Sequence, residues 1–265
     1  MDKIKTIYTK RPILGSVLAV LSILLGGAVL HQLITLLLPP LDKEPSAVIM
    51  IAMRTIMAVA IIAWLGWWRD VGLTAPRLWR DRKLLLLLVP LPFIPLLDGV
   101  DASDANQIVF LGTAALLIAV SEELLYRGIL LRALQPYGVV KAVLGLAILF
   151  GAVHLPNVFV GGDPGFELLR LAMTVGGAIG LAVIRLRTNM IWGVILAHWG
   201  LDFTEYLAVG GIPALGGGHD FSTKAILTMI AYNVFLGAVG LYLLLNKNSR
   251  SKFIKQGANN HVEKD

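Results

Sequence analysis

Residues 106–134 read NQIVFLGTAALLIAVSEELLYRGILLRAL. The run is apolar over the length of a bilayer crossing, yet it holds Glu122, Glu123 and Arg127 in its second half. Charged side chains at membrane depth are costly, and they default to a functional reading in which they face a cavity or one another. The stretch is therefore read as a membrane-spanning helix that carries chemistry, and the rest of the chain is read around it.

Composition sets the solvent. The chain has 265 residues, of which 57% are hydrophobic, and its mean hydropathy is +0.76. Both values lie outside what a soluble domain of this length shows. Apolar windows near the length that crosses the hydrocarbon core lie at 12–38, 46–68, 84–98, 106–134, 138–159, 166–186, 189–209 and 222–245. The third window is short and broken by Pro90, Pro92 and Pro95. The expected fold is all-α, a polytopic transmembrane helical bundle of about eight spans.

Orientation follows from the cations, which accumulate in cytoplasmic loops. Lys3, Lys5, Lys10 and Arg11 precede the first window; Arg69, Arg77, Arg80, Arg82 and Lys83 follow the second. Arg132 and Lys141, then Arg185 and Arg187, then Lys247, Arg250, Lys252 and Lys255 mark later ends on the same side. Asp98, Asp101, Asp104, Asp163 and Asp220 occupy the opposite loops. Both termini are thus expected in the cytoplasm. The net charge of +6 is topological, because the cations are spread over separate loops, and nucleic-acid binding is not expected. Trp64, Trp67 and Trp68 read as an interfacial belt, and the loop 69–83 as a segment on anionic headgroups.

The organisation read from these windows is a cytoplasmic tail at 1–11, transmembrane helices with a cytoplasmic loop at 12–105, a core at 106–208, a loop and last helix at 209–246, and a basic cytoplasmic tail at 247–265. The first window is too long for a cleaved signal peptide and is read as a retained span, and the C-terminus carries no lipidation signal. Repeats of fixed period are not visible. Gly176, Gly177 and Gly180 form a strip where close helix packing is the expected meaning. With no cysteine in the chain, disulfides, thiolate metal sites and a cysteine nucleophile are excluded.

Three clusters carry the candidate chemistry: Glu122-Glu123-x-x-x-Arg127, Phe150-x-x-x-His154 and His198-x-x-x-Asp202. Residues four apart share a helix face, and an ion pair between Glu123 and Arg127 would lower the cost of keeping both at depth. At the helical rise, Glu122, His154 and His198 lie about 18, 23 and 14 Å from the cytoplasmic ends of their windows. Each cluster has an ordinary structural explanation alone: Arg127 snorkelling beside a shorter span, a core histidine at 154, a hydrogen-bonded His198–Asp202 pair. Their shared depth favours a joint site. Arg54 and Arg170 are read as structural, the first awaiting a carboxylate partner and the second snorkelling to the outer surface. His31 and Asn157 are read as local hydrogen-bonding residues, and His219 and His261 as solvated.

A carboxylate, two imidazoles and a further acid in a wet interior cavity suit hydrolysis. Glu122 can exchange a proton with water and a leaving amine, while other groups stabilise the oxyanion.

These three motifs resemble those of the CAAX protease and bacteriocin-processing (CPBP, or Abi) family of intramembrane proteases, which includes the Rce1-type prenyl endopeptidases. The resemblance covers roughly 106–208 and makes that segment a protease-like core. It implies an intramembrane endopeptidase acting on a peptide or protein substrate, with cleavage near the cytoplasmic face or within the bilayer. By that resemblance Glu122 activates water with help from His154, His198 and Asp202 form the oxyanion side, and Glu123, Arg127 and Phe150 support the site. The third motif ends in Asn in eukaryotic-type prenyl proteases, so Asp202 sits closer to the broader family. No cofactor is expected; the alternative is a zinc site at Glu122, His154 and His198. A non-catalytic transporter or immunity protein using the same network is the reading of a different class. The expected location is a prokaryotic plasma membrane, with lipid as a constant partner.

Overall fold

The computed structural model describes residues 6–8, 10–38, 41–74, 81–101, 104–160, 164–212 and 221–246. Lys3, Lys5, Arg77, Arg80, Gly161, Gly162, Asp163, His219, Asp220, His261 and the basic tail 247–265 lie outside these residues, as does the Asn157 side chain.

Among the described residues all regular secondary structure is helical, with no strand. In chain order α1 is Pro12–Thr35, α2 Lys43–Leu65, α3 Ala105–Glu123, α4 Val139–Ala152, α5 Pro164–Thr188, α6 Trp192–Val209 and α7 Thr223–Leu245. Beyond Glu123, α3 runs on through a π-helical stretch, Leu124–Leu130, and a last α turn, Leu131–Leu134. The helices start and stop where local chemistry directs. Asp104 caps α3 by accepting from the Gln107 amide at 3.1 Å, and Ser222 caps α7 through the Ala225 amide at 3.2 Å, each satisfying an amide that the first helical turn leaves unpaired.

Among the described residues, five helices are long and apolar enough to cross a membrane: Ile13–Thr35, Pro45–Leu65, Ala105–Tyr137, Glu167–Thr188 and Thr223–Leu245. Their outer faces leave large apolar side chains uncovered, among them Leu25, Val29, Leu33, Val109, Leu227 and Val234, a surface that belongs in lipid rather than water. The other three expected windows take different forms. Residues in 84–98 make three 3₁₀ segments, Arg82–Leu88, Leu91–Phe93 and Pro95–Asp98, because prolines 90, 92 and 95 remove amide donors that an α-helix needs. The window 138–159 is the short α4 followed by a 3₁₀ segment, Leu155–Val160. The window 189–209 is α6, whose His198, Asp202 and Glu205 make it more polar than the five.

The packing pairs α1 with α2, α3 with α6, α4 with α5, and α5 with α7. The proline-rich 3₁₀ run wedges against α6: Leu88 and Leu91 share a buried cluster with Val194 and Ala197. The glycine strip on α5 is a close helix contact, as its sequence suggests. A Cβ added at Gly180 would come within 2.8 Å of the Leu236 carbonyl oxygen of α7, and one at Gly176 within 2.8 Å of the Asn233 carbonyl oxygen.

Opposite charges close one end of the bundle. Arg132 reaches Asp70 at 3.0 Å and Arg187 reaches Asp81 at 2.7 Å, while Arg185 donates to the Asp70 carbonyl. The edges of the 69–83 loop are thus pinned to the ends of α3 and α5. Trp67 is no interfacial anchor: it is 4% exposed, packed edge-on against Tyr8 and under the Arg132 guanidinium. Trp68, by contrast, is exposed. At the other end, the Asp101 amide donates to the Leu207 carbonyl at 2.8 Å and Gln107 to the Gly210 carbonyl at 2.8 Å, so the start of α3 is tied to the end of α6. His31 bonds Ser46 at 2.9 Å, the local role expected of it.

Candidate active site

The site lies between α3, α4 and α6. Register between α3 and α6 is set partly by the Trp199 indole, which donates to the Gly112 carbonyl at 3.0 Å, with Phe203 stacked on that indole at 5.8 Å. This places His198 and Asp202, one turn apart on α6, against Glu122 and Glu123 at the end of the regular part of α3.

Glu123 is the hub. One of its oxygens, Oε1, accepts from Arg127 Nη1 at 2.8 Å and contacts His198 Nδ1 at 2.8 Å. Glu123 and Arg127 are both completely buried, and their pairing offsets what either charge would cost alone. The π-helical stretch begins directly after Glu123, and Arg127 stands inside it. Such wide turns are concentrated at functional sites.

With Nδ1 committed to Glu123, the opposite ring nitrogen of His198 points at the remaining acids. His198 Nε2 lies 3.4 Å from Asp202 Oδ2 and 3.9 Å from Glu122 Oε2. Glu122 is one-third exposed, the most open member of the group, and His198 and Asp202 are largely buried. A carboxylate that fixes a histidine through one nitrogen and leaves the other facing the reaction space is the arrangement by which imidazoles are oriented in catalytic sites.

Phe150 is the spacer that joins the third helix to this network. Its ring lies 4.1 Å under the Arg127 guanidinium, a cation–π contact. It also stands edge-on to Tyr126 at 4.7 Å, to His154 at 5.8 Å and to His198 at 6.4 Å. His154 itself is not on the helix. It follows the end of α4 in a turn closed by its amide on the Gly151 carbonyl at 3.2 Å, and Pro156 shortly after prevents the helix from continuing. Among the described residues its ring makes no direct hydrogen bond to Glu122 or His198. Its electrostatic neighbours are Arg170, His198 and Asp202.

The residues that the motifs single out are therefore brought to one place. Others join them unannounced. Glu205, three residues beyond Asp202 and so on the same face of α6, interacts with Asp202, Arg170 and His198. Tyr206 is buried and interacts with Asp202, Glu205 and Glu122. Arg170, expected to snorkel outward, instead pairs with Glu167 at 3.6 Å and faces this cluster. Arg54 of α2 finds in Glu122 the carboxylate that the sequence could not name. The spacing of Glu205 was a usable signal; the electrostatic approach of Arg54 to Glu122, which joins separate helices, was not.

Among the described residues no three His, Asp or Glu side chains form a group arranged to hold a metal ion. Any ligand to His198 would have to use Nε2.

Neither curated proteins nor solved structures give a match to this chain. Residues 104–204 match the family model described as Rce1-like, type II CAAX prenyl endopeptidase, and that segment, with all three motifs inside it, carries the CAAX-protease resemblance read from the sequence.

Proposed function

We propose that the chain is an intramembrane endopeptidase of the CAAX-protease type that hydrolyses a peptide bond with water activated by Glu122. The observation that carries this reading is the convergence of Glu122, His198 and Asp202, with His198 held through Nδ1 by a fully buried Glu123. Glu122 takes a proton from water as the water oxygen bonds to the scissile carbonyl carbon. The carbonyl oxygen gathers negative charge opposite His198 Nε2. As the C–N bond breaks, Glu122 returns the proton to the leaving amine. His198 donates at both nitrogens only when doubly protonated, and Glu123 and Asp202 supply the counter-charge. Asp202, one turn along α6 and 3.4 Å from Nε2, orients His198. His154 lines the rim beside Phe150 and assists Glu122 in holding the water.

The reading includes eight crossings with both termini cytoplasmic in a prokaryotic plasma membrane. Laid end to end at about 2 Å per residue, the 3₁₀ segments within 82–98 would reach at most about 30 Å, the thickness of a hydrocarbon core. The α4 helix with its 3₁₀ extension covers a similar length, and α6 slightly less. The Arg132–Asp70 and Arg187–Asp81 pairs gather the cationic ends on one side. Cleavage is then placed near the cytoplasmic face or within the bilayer.

The test compares cleavage products in membranes holding the wild type or Glu122→Gln. New termini that appear only with the wild type support the reading; identical products contradict it. Catalysis by Glu122 without a metal is part of the proposal. Stoichiometric zinc whose removal abolishes cleavage would replace it with a metalloprotease using Glu122, His154 and His198. Substrate or ion flux in proteoliposomes that persists in Glu122→Gln would favour a transporter.

A further inference from the structure

The cations nearest the motif acids are already committed. Arg127 bonds Glu123 at 2.8 Å, and His198 turns Nδ1 to that same carboxylate at 2.8 Å. The other ring nitrogen of His198 stands nearer Asp202, at 3.4 Å, than Glu122, at 3.9 Å. Glu122, on which the proposed reaction turns, is thus the motif acid left with the loosest contact to a cation. A carboxylate at membrane depth needs a counter-charge.

Arg54 has the opposite lack. It stands in the middle of α2, far from either end of that helix. Its Nη2 reaches only the Met50 sulfur at 3.7 Å, and its Nε is buried with no hydrogen-bond partner. Among the described residues no carboxylate comes into direct contact with it; the one whose charge it feels is Glu122, with the Tyr126 hydroxyl beside it. The fold holds the two in this relation. Gly27 of α1 leaves the space that the Arg54 stem fills, since a Cβ at that position would come within 2.7 Å of Arg54 Cγ. The adjacent Thr55 hydroxyl reaches the Leu117 carbonyl of α3 at 3.4 Å, which fixes α2 against α3 little more than one turn before Glu122.

Resting on the protease reading above, we infer that Arg54 is a positioning residue for the reaction, the counter-charge that holds Glu122 ready while leaving its oxygens open to the attacking water. The separation suits this role. A guanidinium in direct contact takes up acceptor sites on a carboxylate, as Arg127 does at Glu123 Oε1, and a base so engaged has less room to accept from water. A cation held beyond hydrogen-bond reach still acts through its field, whose energy falls only as the inverse of distance and is larger where water is scarce. Two neighbouring glutamates therefore use two arginines for different tasks. Arg127 builds the scaffold by contact, and Arg54 serves the chemistry at range.

The test uses purified full-length protein and a peptide that the wild type cleaves, with kcat and KM measured for the wild type, Arg54→Gln and Arg54→Lys. Arg54→Gln should lower kcat by about ten- to a hundredfold with KM little changed, and Arg54→Lys, which keeps the charge, should recover most of that loss. Melting temperatures of Arg54→Gln, alone and combined with Glu122→Gln, supply a readout that needs no turnover. Alone, Arg54→Gln should lower the melting temperature, because Glu122 loses its cation. Added to Glu122→Gln it should raise the melting temperature, because Arg54 is there a buried charge without its anion. A rise in KM with kcat intact, a lysine variant as slow as the glutamine one, or the same melting shift in both backgrounds overturns the inference. Failure of the protease reading is separate: it would appear as an absence of Glu122-dependent cleavage by the otherwise unaltered protein, while the melting temperatures report the Arg54–Glu122 relation by themselves.

Discussion

The contacts of α3 with α6 and of α5 with α7 join helices of one bundle by opposite means. Between α5 and α7, Gly176, Gly180, Gly237 and Gly240 bring backbones together until no side chain fits, the packing that holds helices where lipid offers no hydrophobic drive. Between α3 and α6 the contact carries Glu122, Glu123, Arg127, His198 and Asp202. The first interface leaves little unsatisfied. The second leaves Glu123 Oε2 and Arg127 Nε and Nη2 buried without hydrogen-bond partners. A contact that leaves such groups buried costs stability that the glycine contact does not, which is what the proposed chemistry would require of it.

That contrast can be broken in five ways, beginning with the largest effect. His198→Ala and His154→Ala are expected to lower kcat/KM for peptide cleavage by about 10²–10⁴, with melting temperatures close to the wild type. Unchanged rates in either folded variant would remove that histidine from the site. Arg127→Ala should destabilise the protein by about 3–5 kcal/mol, because it strands Glu123 in a dry interior; denaturation in detergent measures this. The double change Glu123→Leu with Arg127→Met should recover most of that stability while cleavage stays impaired, since His198 Nδ1 has lost its acceptor. Recovery of both would show that the ion pair is only structural.

On the other interface, Gly180→Leu should cost about 1–3 kcal/mol by forcing α5 from α7, and the surviving folded fraction should cleave normally. The smallest effect is expected for Trp199→Phe, which removes the bond to the Gly112 carbonyl and should cost about 1 kcal/mol. A measurable change in KM there would mean that register between α3 and α6 is set mainly by that bond.

Much of this site was legible in the sequence because its signals are local. The four-residue spacing of Glu123 with Arg127 and of His198 with Asp202 follows from helix geometry alone, and both pairs meet in the structure at 2.8 and 3.4 Å. The glycine strip was legible for the same reason. The π-helical stretch after Glu123 was hidden, since an apolar run reads alike with either hydrogen-bond period. Prolines 90, 92 and 95 signalled an irregular segment without revealing that it would become 3₁₀ turns against α6. The contact of Trp67 with Arg132 and the facing of Arg54 to Glu122 join residues far apart in the chain, and no local pattern encodes them.

The account rests on Glu122 as the group that exchanges protons with the attacking water. Its most direct test is kcat for one cleaved peptide, measured on reconstituted wild type and on Glu122→Gln with matched melting temperatures. The account predicts a drop of about a hundredfold or more with the fold intact; a Glu122→Gln protein that cleaves within a few-fold of the wild type would contradict it.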